Sequence, residues 1–167
     1  EIPNRTMCAY VHAREAHHFD PTNAQAHYFL GMAYSLLDES LNGKTEALLH
    51  LQQAVDYAPL QPDYHADYAV LLWKWGNKKE AEEHIQKARE LDPYNGQFDY
   101  TLAWMRQRDG STEQALGLYK TAKGKLQALP QLRPEDIRFL RYIDQAMYQL
   151  NPPKPLPPGP KMIWGVA

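Results

Sequence analysis

One cysteine in 167 residues, Cys8, excludes any disulfide within the chain, so the fold closes without covalent staples and cysteine usage carries no sign of the redox compartment. Long apolar runs are missing as well. Ala69–Trp73 is about the longest, far short of the ~18 residues a membrane span requires. Neither sign of charge dominates: 18 basic against 20 acidic residues leave −2, with no global field to draw nucleic acid or an anionic bilayer. There is no phosphate-cradling glycine loop, no Gly-x-Ser-x-Gly, no His-Glu-x-x-His and no Cys-x-x-Cys-His haem attachment. The nine glycines are scattered and read as turn residues. Glu80, Glu82, Glu83 and Glu90 interleave with Lys78, Lys79 and Lys87, which describes a solvated helix face rather than an acid–base pair. Lys120, Lys123 and Lys125 form a small basic cluster suited to solubility. No catalytic residue, cofactor or nucleic-acid partner is expected.

What the chain does have is a period. Pro21, Pro59 and Pro93 are separated by 38 and 34 residues, and each closes the same helical pattern. Back from Pro93 run Ala88, Ile85, Ala81, Ala69, Tyr68 and His65. Back from Pro59 run Ala54, Leu51 and Ala47, then, beyond a short insertion, Tyr34, Gly31, Leu30 and His27. Self-similarity of this kind describes one helix pair stacked repeatedly. Small residues let helices approach closely while a large one fills the groove between them. Asp20-Pro21-Thr22-Asn23 and Asp92-Pro93-Tyr94-Asn95 are helix stops, in which proline cannot continue the preceding ladder and asparagine can cap the next helix. Gly76-Asn77 and Asp109-Gly110 sit where the two helices of a unit must turn.

These residues resemble the tetratricopeptide repeat (TPR), a helix–turn–helix unit of about 34 residues. The resemblance covers about residues 7–127 and implies an all-α, right-handed α-solenoid. A partial unit over 7–23 gives Ala9, Ala13 and Ala16, its second helix only. Full units follow over 24–61, 62–95 and 96–129, the last giving Leu102, Ala103, Ala115, Tyr119 and Ala122, with Gln127 in place of the closing proline. The insertion around Asp38–Lys44 predicts an extended loop in the first full unit. Residues 133–150 predict a capping helix: Pro134 at its first turn, Glu135 and Asp136 near the positive end of its dipole, and a stripe of Ile137, Leu140, Ile143, Met147 and Leu150. The solenoid thus spans 1–150. Residues 151–167 form a tail whose six prolines over 151–160 predict extended, polyproline-like chain, followed by an apolar end carrying Trp164. Docking of Trp164 on the solenoid or on a neighbouring subunit is one expectation, a disordered tail the other. Glu1–Arg5 supply no polar cap, so an upstream domain or a partner is expected over the helix around Met7–Phe19.

Function follows from the resemblance only in outline, as a non-catalytic scaffold or adaptor within a larger assembly. In such arrays the first helices line a concave groove, and its positions fall here on Tyr28, Met32, Leu36, Trp73, Lys74, Tyr100, Trp104 and Arg108, among others. Five aromatic or sulfur side chains in that set favour a peptide or helix with apolar anchors. The family's carboxylate clamp would want Lys, Asn, Asn, Lys and Arg where this chain has Tyr28, Met32, Asp67, Gln97 and Thr101. Acidic tails of heat-shock chaperones are therefore not expected ligands. A second reading is a regulatory or substrate-binding TPR module of a larger enzyme, such as a membrane-bound glycosyl-transferring one. The histidines His12, His50 and His84 share repeat position 23 and stand roughly 10 Å apart from unit to unit, too far to hold one metal ion. His27 and His65, at position 4, read as packed imidazoles. No metal is expected.

Overall fold

The computed structural model describes residues 2–37 and 41–152. The residues 38–40 and the greater part of the proline-rich tail, with Trp164, lie outside that set. Among the described residues are eight helices and no strand: α1 (Ile2–Phe19), α2 (Ala24–Leu37), α3 (Leu41–Tyr57), α4 (Pro62–Lys74), α5 (Lys78–Leu91), α6 (Gly96–Arg108), α7 (Thr112–Gln127) and α8 (Pro134–Leu150). They pack as successive hairpins, α2 on α3, α4 on α5 and α6 on α7, with α1 against α2 and α8 against α7 and α6. The stack is a TPR-type α-solenoid.

The recurrent small and large residues explain that packing. Ala47, Ala54, Ala69, Ala81, Ala88, Ala103, Ala115 and Ala122 are all fully buried, and Leu51, Ile85 and Tyr119 fill the grooves they open. One apolar core runs from α3 through α6, and a second joins α6 and α7 to Ile143 of α8. Gly76 and Gly110 take the left-handed backbone at the hairpin turns, with φ of 101° and 81°. Asn23 and Asn95 cap the helices they precede, accepting from the amides of Ala26 (2.9 Å) and Gln97 (3.0 Å).

Three features differ from the sequence reading. The inserted residues lengthen a helix: α3 starts at Leu41 and runs 17 residues, against 14 for α5, so only residues 38–40 separate it from α2. Not all glycines are turn residues. A Cβ on Gly31 would lie 2.7 Å from Leu51 Cγ, the close approach expected of a small residue in the repeat, and one on Gly96 would lie 2.6 Å from the carbonyl oxygen of Ala122, a close helix contact the repeat did not predict. Finally, Ile137 is 43% exposed, and α8 docks instead through Ile143, Phe139, Leu140, Met147 and Leu150.

The start of α8 is fixed by a buried carboxylate. Asp136 accepts from the Arg133 amide (3.0 Å), from Arg133 Nε (3.0 Å) and from Gln97 Nε2 (3.3 Å), which ties the capping helix to α6. The Arg133 hydrogen bonds hold its pKa below the ordinary carboxylate range. Because the folded pKa is depressed, its contribution is complete at neutral pH and disappears as pH falls through that lowered value. Asp136→Asn is expected to lower unfolding free energy by about 1 kcal/mol at pH 7, with the deficit closing in acid, as read by urea unfolding at both pH values.

Candidate partner-binding surface

The first helices of the units, α2, α4 and α6, are joined to one another and to α8 by rings. Tyr28 of α2 stacks on Tyr64 of α4 at 4.6 Å between centroids and 18° between planes. Trp73 of α4 meets Trp104 of α6 at 4.8 Å, and Tyr100 of α6 meets Phe139 of α8 edge-on at 5.2 Å. Every helix step along this surface therefore carries an aromatic pair, each worth about 0.5–1.5 kcal/mol beyond the area it buries.

Polar groups tie the rings in place. Tyr28 donates its hydroxyl to Asp67 Oδ2 at 2.6 Å. Burial, then the neighbouring carboxylate, pushes the Tyr28 phenol well above its usual range, and burial raises Asp67. The Arg108 guanidinium lies over Trp104 at 5.1 Å and Lys78 over Trp73 at 5.5 Å. The Trp73 indole N–H is buried and finds no acceptor among the described residues. At the α6–α8 end a cleft of about 230 Å³ opens between Tyr100, Trp104 and Arg108 on one side and Tyr142, Gln145 and Gln149 on the other.

The eight residues singled out from the sequence do not form one continuous patch. Trp73 and Trp104 touch each other, and Tyr100, Trp104 and Arg108 line one cleft. Met32 packs partly buried against the apolar core. Leu36, 63% exposed, joins no ring, and Lys74 lies over Trp75 at 5.9 Å, not over Trp73. Tyr64, Phe139 and Tyr142 belong to the same surface although the sequence reading did not select them. Tyr64 stands at repeat position 3, outside the groove positions, and the two α8 rings lie beyond the repeat signature.

A second arrangement went unread in the sequence. His27 Nδ1 lies 2.9 Å from His50 Nδ1, and His65 Nδ1 lies 2.9 Å from His84 Nδ1. The outer nitrogens point back to the preceding unit: His27 Nε2 to the Pro21 carbonyl at 2.9 Å, His65 Nε2 to the Pro59 carbonyl at 3.0 Å. A carbonyl only accepts, so Nε2 carries the proton in His27 and His65, and Nδ1 accepts from His50 and His84. In the third full unit the same position holds Asp99, fully buried. Its Oδ1 accepts from Arg89 Nε at 2.9 Å and its Oδ2 from Lys125. Position 4 is thus a polar clasp in every full unit. Among the described residues no group of three His, Cys, Asp or Glu side chains is placed to hold a metal ion, and no helix is long and apolar enough to cross a membrane.

No protein-family model matches the sequence, and no curated protein matches it. Solved structures do resemble the fold. TTC0263, a thermophilic TPR protein in Thermus thermophilus, aligns with a TM-score of 0.69 at 19% identity, over 83% of this chain and 71% of that one. The TPR2B domain of yeast Sti1, solved as a complex with pHsp70, aligns at 0.64 and 20% identity, over 76% and 94%. YrrB, described as a TPR protein with an unusual peptide-binding site, aligns at 0.57 and 16% identity, over 90% and 80%.

Proposed function

We propose that the chain is a non-catalytic interaction module that holds a peptide or helix of a partner protein, within a larger assembly, on the ring-lined surface of α2, α4, α6 and α8. The observation that carries this reading is the unbroken succession of aromatic pairs from Tyr28–Tyr64 to Tyr100–Phe139. Rigid rings offer large contact area at low entropic cost and dominate interface energetics wherever they are available. Two of the similar folds are described with a partner complex or a peptide-binding site, which agrees with such a use.

The ligand differs in kind from an acidic chaperone tail. Four of the five clamp positions are already engaged within the chain: Tyr28 donates to Asp67, Gln97 to Asp136, and Thr101 to the Gln97 carbonyl. Asp67 further places a carboxylate where the clamp needs a donor. A neutral or basic segment with apolar anchors suits the surface better.

The test is affinity capture from the native source with wild type, Trp73→Ala plus Trp104→Ala, and Leu36→Glu plus Arg108→Glu. The second pair is exposed, so its loss of a partner cannot be ascribed to a damaged core. Partner retention is expected to fall at least about tenfold in both variants, equivalent to roughly 1.4 kcal/mol. An unchanged captured set with both variants folded refutes the reading.

A further inference from the structure

We infer that the cleft between α6 and α8 is a receptor for a polyproline helix, and that its occupant is this chain's own segment from Pro152 to Pro160. The inference rests on the reading of the ring-lined surface as a peptide receptor and names the ligand class of its far end.

A polyproline helix has two needs from a binding site. Its proline rings are flat, apolar and rigid, and they stack well on aromatic faces. Its carbonyls have no donor within the helix, so they take hydrogen bonds from outside. The cleft offers both. Tyr100, Trp104 and Tyr142 line it with rings, and Tyr142 is half exposed. Gln145, Gln149 and Arg108 present N–H groups, which donate to carbonyls and carry no negative charge. At about 230 Å³ the cleft is smaller than a usual small-molecule pocket and suits one or two rings entering from a longer chain.

The position of the tail selects the occupant. Tyr142, Gln145 and Gln149 follow one another along one face of α8, and the helix ends at Leu150, one residue past the last of them. Asn151 has already left helical geometry at φ −145°, ψ 74°. From Leu150 back to Tyr142 is ~12 Å along the helix axis. Nine residues from Pro152 to Pro160 extend ~25 Å as polyproline helix, enough to turn back and cover the cleft from end to end. Six of the ten residues 151–160 are proline, so little chain entropy remains to be lost on docking. A docked tail would hide Trp104 and Arg108, so an external peptide would have to displace it.

The full chain carries its own reporters. Cys8 is the single cysteine, so Cys8→Ser with Lys161→Cys places one nitroxide label beyond the prolines. The four tryptophans give four indole N–H signals, of which Trp104 lines the cleft and Trp75 does not. The expected result is strong broadening of the Trp104 signal relative to Trp75, independent of dilution. Pro155→Ala, Pro157→Ala and Pro158→Ala together should abolish that difference. Broadening that survives the three substitutions would report mere tethering and overturn the proposal. Broadening that fades on dilution would assign the site to a second copy, and equal signals throughout would leave no docking at all; either overturns it. Failure here with intact dependence of partner capture on Leu36 and Arg108 would remove the tail alone and leave the interaction surface standing.

Discussion

Asp99→Ala is expected to lower the free energy of unfolding by about 3 kcal/mol, the largest effect of any polar substitution in the chain. Asp99 is fully buried, yet it receives Arg89 from α5 and Lys125 from α7 while standing on α6. One carboxylate thus joins the second full unit to both helices of the third. Removing it leaves two cations facing each other across a buried gap, which costs more than the pairing itself contributed. Arg89 and Lys125 are 27% and 26% exposed, so they can partly turn to water, and this keeps the cost near the lower end of the 3–5 kcal/mol range for broken buried pairs. Asp99→Asn retains the shape and one acceptor and should cost about half as much. The surface pair Lys79–Glu83, 95% and 66% exposed, is the control, with an expected change below about 1 kcal/mol for Glu83→Gln. Urea unfolding should show a lower midpoint with an unchanged slope. Values for Asp99→Ala within about 0.5 kcal/mol of wild type would show that the clasp carries no stability.

The packing skeleton was readable because it is periodic. The buried alanines of the repeat and the groove-filling Leu51, Ile85 and Tyr119 recur at fixed positions of each unit, and helix geometry turns that spacing into a contact. The clasps obey no helical period. His27 and His50 are 23 residues apart and His65 and His84 are 19 apart, the difference of four being the insertion that lengthens α3. A signal did exist: position 4 and position 23 are both histidine in the first two full units, and both change together in the third, to Asp99 and Leu118. Asking whether a given position repeats does not reveal whether two positions change in concert. The candidate surface was partly legible for the same reason. Rings on α4 and α6 fall at groove positions, whereas Phe139 and Tyr142 come from α8, which follows no repeat. Gly96 escaped notice because it stands at the first position of its unit, where the signature asks for nothing.

The clasps should also make the array acid-sensitive at one end. Burial, followed by the nearness of His27 and His17, lowers His50 from 6.5 to about 4. A base whose folded pKa is depressed binds fewer protons folded than unfolded between those values. Stability is therefore complete above pH 6.5, declines as pH falls and levels off below about 4. The mechanism is local: His50 Nδ1–H already donates to His27 Nδ1, so an added proton falls on His50 Nε2 and leaves a charged ring half-buried between α2 and α3, and burial of that charge is what costs stability. The groups around this pair offer no relief. His17 of α1 stands edge-on to His27 at 4.6 Å, Tyr34 of α2 stacks on His50 at 5.7 Å, and Tyr57 of α3 lies 5.4 Å from His27. Tyr34, pushed up to about 12 mainly by its hydrogen bond with Tyr10, stays neutral throughout. The second pair differs. Burial and His65 lower His84, but Glu80, Glu83 and Asp56 oppose them. A sealed ring with the His50 shift would forfeit about 3 kcal/mol across the window, and partial contact with water reduces this to about 1.5. Unfolding free energies measured from pH 7.5 to 4.5 should fall less steeply in His50→Gln than in wild type, because glutamine still donates to His27 Nδ1 without titrating. His84→Gln should change the slope less. Equal slopes in wild type and His50→Gln would locate the acid sensitivity in the carboxylates instead, whereas a flattened slope assigns it to the His27–His50 pair of α2 and α3.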